Sequence, residues 1–518
     1  MKGKKVLKQE KSTLRASLIR LICAFLLLGV AALLFWLQRN DTKLQSEGYD
    51  SKTIPPTCTD SGYTLFTNRE SGETYIDNVV PALGHSFDAW VMSDSGDAFR
   101  AGVRSRTCAT CAFVHEEAVY PEYAVPVLTI DGVLDGIAKK NEVPVDAQFS
   151  GTDMEFTSFA SLKYQGHESL QYDKKNYTLK FWSDKDRAQK NKMVFSHWNK
   201  ENKYILKANY IDPSCCRNLV CADVWAQVTA SRDKTPEMFE DLSNYGAVDG
   251  FPIALYINRQ LQGIYTMNLH KDDDLFGMSD GEEHAIVIAN YADKPDASFH
   301  ALSAFDDISA WEVEYCGTED STWAKNKFND FAAFVINSDD DTFRKELEKY
   351  LDIDSAVDYL LGIYTLGLTN HGASDLVLVC YSSDEPWTAS MYDMETAFGL
   401  GKDGTATVAP ELFLPALQDG IWTSNTDNLL WDRFLTGFYP ELCARYTQLR
   451  KDIFAPENLK KMVTDYTDAI DQTLYRANTQ LSPDLPTAEE SIKQILDYID
   501  RRSALLDGMF LLKEGPNS

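Results

Sequence analysis

Between Thr369 and Leu400 the chain reads TNHGASDLVLVCYSSDEPWTASMYDMETAFGL. The segment before it, DSAVDYLLGIYTLGLT (Asp354–Thr369), has the apolar density of a largely buried helix. LVLVCY then reads as a strand, SSDE as a turn and WTASMY as the returning strand. A hairpin brings the residues before its first strand and those after its second to one edge. Here that edge collects Asn370 and Asp375 from one side and Asp393 and Glu395 from the other. Oxygen-bearing side chains so gathered suit a hard divalent cation. A further group beside them could face an acceptor hydroxyl.

The rest of the sequence orders itself around this stretch. YAVPVLTI and VPVDAQFSG are strand-like. FTSFASLKYQGHESLQYDKKNYTLKFW reads as two strands with a polar, glycine-containing connection, and KYILKANY is another strand. DPSCCRNLVCADVWAQVTASR predicts a helix capped by Asp212, with Pro213 at its first position and Leu219, Val220, Trp225 and Val228 on its apolar face. FPIALYINRQLQGIYTMNL predicts a hairpin turning near Asn258–Gln262. Beyond residue 426 the pattern is amphipathic and helical. A β-rich front and a helical rear make an α+β domain over 121–518, with no internal repeat evident in it.

Ahead of that domain lie other pieces. LICAFLLLGVAALLFWL (Leu21–Leu37) is an unbroken apolar run near the lower limit for spanning a bilayer. The basic residues in 1–20, seven against the single Glu10, are expected to stay in the cytoplasm, leaving the rest outside. The run reads as an uncleaved single-pass anchor, since no clean small-x-small cleavage site follows it; a cleaved secretory signal is the alternative, and both export the body. The net charge is −28, so with +6 in residues 1–20 the remainder carries −34, which argues against nucleic acid as a partner. Residues 38–57 read as a polar linker. Residues 58–120 hold Cys108-x-x-Cys111 at zinc-knuckle spacing, with Cys58 and His85 as further candidate ligands for a structural zinc ion. This segment resembles small Cys-rich, zinc-ribbon-like modules of bacterial surface proteins, in which a further Cys-x-x-Cys stands where this chain has Asn68 and Ser71.

The large domain resembles the CotH kinase family, the spore-coat kinases and their bacterial relatives. LKYQGHESLQYDKKNYTLKF, YILKANYIDPSCCRNLVCADVW, YINRQLQGIYTMNLHKDDDLFGM and WTASMYDMETAFGL carry the resemblance. Protein kinases share the order of catalytic Asp, Asn five residues on, hairpin and metal-binding Asp. The resemblance implies an atypical kinase fold with a β-rich N-lobe and a helical C-lobe, use of ATP with Mg²⁺ or Mn²⁺, and an extracytoplasmic setting. Its acceptor would be Ser or Thr hydroxyls of surface or coat proteins. By matching positions, Gly166 and Ser169 would cover the phosphates. Lys175 and Lys180 would supply the basic strand, and Arg217 with Asn218 the helix start. Asp393 would be the principal metal ligand, with Asp375 and Glu395 beside it.

One position departs from the pattern. Relatives read Asp-Asn-His-Ala-Lys-Asn where this chain has NHGASD, so Asn370 takes the catalytic Asp place and Asp375 the metal-binding Asn place. Asp375 suits a metal better than an amide does, but Asn370 can orient a hydroxyl without accepting its proton. His371 could substitute, and a shifted alignment could also relieve the conflict. A working phosphotransferase, a catalytically weak nucleotide-binding relative and a tethered adhesin all remain open on the sequence.

Overall fold

The computed structural model describes residues 48–511, apart from 167, 196–197, 234–238, 240–241, 291–292, 304, 306–308, 370, 406 and 419–420. Asn370 and the apolar run Leu21–Leu37 therefore lie outside the described residues. Among the described residues no helix is long and apolar enough to cross a membrane. The chain divides into two compact units. One comprises the described residues up to 95 together with 102–119, and the other 96–101 and everything from 120 onward.

The smaller unit holds two antiparallel three-stranded sheets. The first is β1 (Tyr49–Ile54), β2 (Gly62–Asn68) and β3 (Thr74–Val80). The second is β4 (Val91–Asp94), β5 (Gly102–Thr107) and β6 (Val114–Val119). Residues 49–54, inside the stretch expected to be a linker, are instead a strand paired to β2, from Tyr49 opposite Asn68 to Ile54 opposite Tyr63. Polar composition suggests a tether, but the backbone hydrogen bonds to β2 make this segment part of a sheet.

The larger unit is a mixed α+β fold. Its front closes into a seven-stranded barrel: β7 (Val127–Asp131), β8 (Val143–Ser150), β9 (Glu155–Gln165), β10 (Asn176–Trp182), β11 (Lys203–Lys207), β12 (Gly250–Ile257) and β13 (Gln260–Asn268). Strand alternation fills the interior. Val143, Val145, Ala147 and Phe149 of β8 point in, as do Tyr177, Leu179 and Phe181 of β10 and Tyr204 and Leu206 of β11. The β12–β13 turn places Asn258 and Arg259 at φ 49° and 67°, the pair of left-handed residues that a two-residue hairpin turn requires. The barrel shuts where β12 pairs in parallel with β7, Ala254 beside Val127. A β-rich front was legible; its closure was not, because that seam joins segments far apart in the chain.

Between β11 and β12 runs α1 (Arg217–Ala230), which starts later than the expected cap at Asp212 because Cys215 sits at φ 56° and interrupts the turn. The rear half begins with a four-stranded antiparallel sheet ordered β15 (Trp311–Cys316), β14 (Ala285–Ala289), β16 (Leu376–Cys380), β17 (Thr388–Met391). Helices α2 (Thr322–Asn337), α3 (Asp340–Glu346) and α4 (Ile353–Leu366) precede β16. Asp352 caps α4 by accepting the Ser355 amide at 2.7 Å, and Gly367, left-handed at φ 67°, ends it. The short hairpin β18–β19 (Ala416–Gln418, Ile421–Thr423) comes next. Then come α5 (Leu429–Gly437), α6 (Tyr439–Leu449), α7 (Pro456–Asp468), α8 (Gln472–Leu481) and α9 (Ala488–Phe510), which carries a full capping box at Thr487 and Glu490.

Candidate functional site

Leu376 pairs with Met391 at the open end of the β16–β17 hairpin. Asp375 and Asp393 therefore leave the two strands at the same end. Both sit in left-handed backbone, at φ 60° and 57°. That conformation costs a non-glycine residue about 1–2 kcal/mol, so the surroundings must hold it. The Asp375 amide donates to the Ala289 carbonyl at the end of β14, at 2.8 Å, and the Ser374 hydroxyl donates to Asp375 Oδ2 at 3.0 Å. Downstream of Asp393, the Phe398 amide donates to the Leu366 carbonyl at 2.6 Å. At Gly399, φ 75°, a Cβ would come 2.6 Å from the Val408 carbonyl and would run into the Tyr498 ring, so only glycine lets the loop pass.

The partner of Asp393 comes from the barrel. Lys207 ends β11, is 5% exposed, and its ammonium forms an ion pair with Asp393 Oδ1. It also stands 5.4 Å from the Tyr392 ring centroid, with Lys271 at 5.0 Å from the same ring and bonded to Glu314 at 2.8 Å. Burial works against the Lys207 charge, but Asp393, Tyr392 and Glu395 outweigh it and hold the lysine protonated. Burial, then repulsion from Asp393, pushes the Asp375 carboxyl up to about 8, with the Ser374 hydroxyl and Lys207 pulling the other way. Three acidic side chains thus stand near one ammonium, and their oxygens are the hard donors that suit Mg²⁺ or Mn²⁺. Among the described residues, the metal-type clusters with ligand atoms within 4.8 Å are Cys58, His85, Cys108 and Cys111, and Asp272, Asp273 and Asp274. Asp375, Asp393 and Glu395 are not gathered that tightly. Mg²⁺ needs only one or two carboxylates when phosphate oxygens complete its shell.

His371 is fully buried. Its Nε2 lies 2.7 Å from the Tyr392 carbonyl, which can only accept, so that nitrogen carries the proton. Burial depresses its pKa to about 4, and its own carbonyl accepts the Tyr359 hydroxyl at 2.9 Å. The expectation that His371 could act as a substitute base is therefore corrected: it is a neutral core residue that braces the loop leading to Asp393.

The remaining candidates separate. Gly166 (φ 102°) and Ser169 form the tight β9–β10 connection, where a Cβ on Gly166 would collide with Ser169 Oγ. Lys175 donates to the Leu170 carbonyl at 2.9 Å and to the Tyr172 carbonyl, stiffening that same connection. Lys180 bonds Glu142 at 2.5 Å. It lies on the same outward face of β10 as Asn176, about 13 Å along the strand at ~3.3 Å per residue. Since Tyr177 pairs with Leu206, Asn176 is level with Lys207, so Lys207, not Lys180, is the strand lysine that meets Asp393. Arg217 is a second correction. It is fully buried, ion-paired with Asp212, and donates to the Ala397 carbonyl (2.9 Å), Ser491 Oγ (2.9 Å) and Gln494 Oε1 (2.6 Å). Its donors are committed to the protein interior, where it ties α1 and α9 to the loop after Asp393, so it does not serve as a phosphate ligand.

Sequence reasoning passed over Lys207 and Tyr392. A lysine closing an apolar strand reads as a solvated charge. The available signal was alternation, which puts Lys207 on the face opposite the barrel interior. The chain matches the family model described as CotH kinase protein over residues 162–506. No curated protein matches it.

Proposed function

The chain belongs to the CotH kinase protein family, and from that premise we propose that it is an extracytoplasmic, ATP-dependent phosphotransferase acting on Ser or Thr hydroxyls of surface or coat proteins, tethered by Leu21–Leu37. The observation that carries this reading is the meeting of Asp375 and Asp393 at one hairpin end, with the buried Lys207 against Asp393. In this reading Asp393 and Asp375 hold Mg²⁺ or Mn²⁺, with Glu395 supporting. The metal supplies charge neutralisation for the transferring phosphoryl group. With such a metal bound, Lys207, which here pairs with Asp393, would be the cation available to a phosphate oxygen. The Gly166–Ser169 connection, stiffened by Lys175, covers the nucleotide. Asn370 orients the acceptor hydroxyl.

The test is transfer of label from ATP to an acidic phosphoprotein acceptor by the purified chain, with and without Mg²⁺ or Mn²⁺. Metal-dependent label on the acceptor is the expected result. Absence of both transfer and nucleotide-induced thermal stabilisation would remove the reading.

A second reading, a catalytically weak relative that binds nucleotide, is favoured by the sealing of His371. With its N–H committed to the Tyr392 carbonyl, no imidazole at 371 compensates for the amide at position 370. Asn370→Asp separates the two. If position 370 faces the acceptor, the carboxylate should raise the transfer rate by about 10²-fold, the lower range for a positioned general base. An unchanged rate would mean that position 370 is not the acceptor-facing group.

A further inference from the structure

The two sheets of the smaller unit are copies of one motif. With a constant offset of 40 residues, Ile54 corresponds to Asp94, Gly62 to Gly102, Thr74 to Val114 and Gly72 to Ala112. Beside the turns the strand registers agree, from Thr64 with Asp77 to Thr67 with Thr74 in the first sheet and from Arg104 with Glu117 to Thr107 with Val114 in the second, while a bulge shifts the outer pairing of each by one residue. The turns agree bond for bond. In the first, the Asn68 amide donates to the Glu73 carbonyl at 2.8 Å and the Gly72 amide to the Asn68 carbonyl at 3.0 Å. In the second, Cys108 donates to Phe113 at 2.8 Å and Ala112 to Cys108 at 2.9 Å. Gly72 and Ala112 both have positive φ, 72° and 55°.

The side chains that organise these turns differ. Asn68 Oδ1 accepts the amides of Glu70 and Ser71 at 2.9 Å each. The equivalent amides, Thr110 and Cys111, bond the Cys108 side chain. Amides converging on a cysteine sulfur distribute the charge of a metal-bound thiolate, as outer donors around a metal centre do. The first copy keeps the turn with an amide oxygen in place of the sulfur; the second keeps the sulfurs.

The first copy contributes its own ligands from elsewhere. Cys58 lies between β1 and β2, where the second copy has Ala98, and His85 lies on the segment joining the two sheets. Cys58 Sγ is 3.8 Å from Cys108 Sγ, and His85 Nδ1 is 3.3 Å from Cys111 Sγ. All four ligand atoms lie within 4.8 Å of one another. Tetrahedral zinc, with Zn–S near ~2.3 Å and Zn–N near ~2.05 Å, sets edges of about 3.8 Å between sulfurs and about 3.5 Å between sulfur and nitrogen. A disulfide would need its sulfurs about 2.05 Å apart.

Among its described residues the unit has no other fully buried centre, its aromatic contacts such as Phe87 with His115 and Phe66 with Tyr75 lying at half-buried or exposed positions. The described residues that are buried are Cys58, Gly62, Gly102 and Cys108, and Ile76, Val79, Val80, Leu83, Val91, Met92, Phe113 and Val114 are all exposed. A piece this size without an apolar core needs a metal or cross-links to fold.

We infer that one zinc ion, held by Cys58, His85, Cys108 and Cys111, joins the two copies and takes the place of a hydrophobic core in this unit. The Asn68–Ser71 turn is the metal-free counterpart of the Cys108–Cys111 knuckle.

The experiment measures zinc in the full chain by mass spectrometry, with a cobalt-substituted sample for optical spectra. About one zinc per chain and a tetrahedral thiolate spectrum are expected. Cys108→Ser should lower the zinc content at least about fivefold, whereas Asn68→Ala should leave it unchanged. Should Cys108→Ser fail to fold, the cobalt spectrum and chelator titration of the wild type still decide the matter. Zinc below about 0.2 per chain, an octahedral cobalt spectrum, or a Cys58–Cys108 disulfide in the unreduced protein would overturn the assignment.

Discussion

Asp393→Ala is expected to lower phosphoryl transfer by at least about 10³-fold, the scale of removing a group that fixes charge at the reacting centre. The same substitution should also destabilise the fold, because it strands the Lys207 ammonium, 5% exposed, without its carboxylate. Breaking a buried pair from one side costs about 3–5 kcal/mol. Asp393 keeps 32% of its side chain exposed, so solvent screening brings the expected loss down to about 2–3 kcal/mol. The two effects can be separated. Lys207→Met combined with Asp393→Ala removes the stranded charge, so stability in urea should recover while transfer stays lost. Transfer within about tenfold of wild type in Asp393→Ala would remove Asp393 from the site.

Arg217→Ala should destabilise the large unit by about 3–5 kcal/mol. It leaves Asp212, 1% exposed, as an unpaired buried carboxylate, and it frees the Ala397 carbonyl, Ser491 and Gln494 from their donor. Arg217→Lys should rescue little, since an ammonium cannot reproduce the planar fork that reaches three elements at once. Urea denaturation with a nucleotide titration discriminates this from a role in phosphate binding. A phosphate ligand would lose ATP affinity at nearly unchanged stability. A strut loses stability first, with affinity declining afterwards because the loop after Asp393 loses its anchor.

These two arginine and aspartate positions also mark where sequence reading succeeds and where it stops. The hairpin carrying Asp375 and Asp393 was legible because strands, turn and flanking carboxylates lie within 32 consecutive residues. Arg217 carries the same weight in a sequence motif whether it holds a phosphate or a helix; burial and partners decide, and those are tertiary facts. Lys207 was invisible for the converse reason, as its partner lies 186 residues away. The Cys58, His85, Cys108 and Cys111 set was legible from one knuckle spacing. The duplication around it was not, because only the Gly62–Gly102 equivalence, the turns and the register beside them persist, while the side chains that organise the turns differ.

The parallel seam between β7 and β12 has a consequence for how this chain must be made. Val127 waits for Ala254. Until β12 and β13 have been delivered, the meander β7–β11 stands with open edges on both sides, and unpaired edges invite pairing with other chains. A barrel closed by its most distant strands is also slow to form, because loop closure precedes the contacts that reward it. The Lys207–Asp393 pair extends the wait further, since the lysine side chain is buried only once the rear half has arrived to neutralise it. The barrel can therefore close only once β13, ending at Asn268, has been made, and its Lys207 finds its carboxylate only when Asp393 has followed.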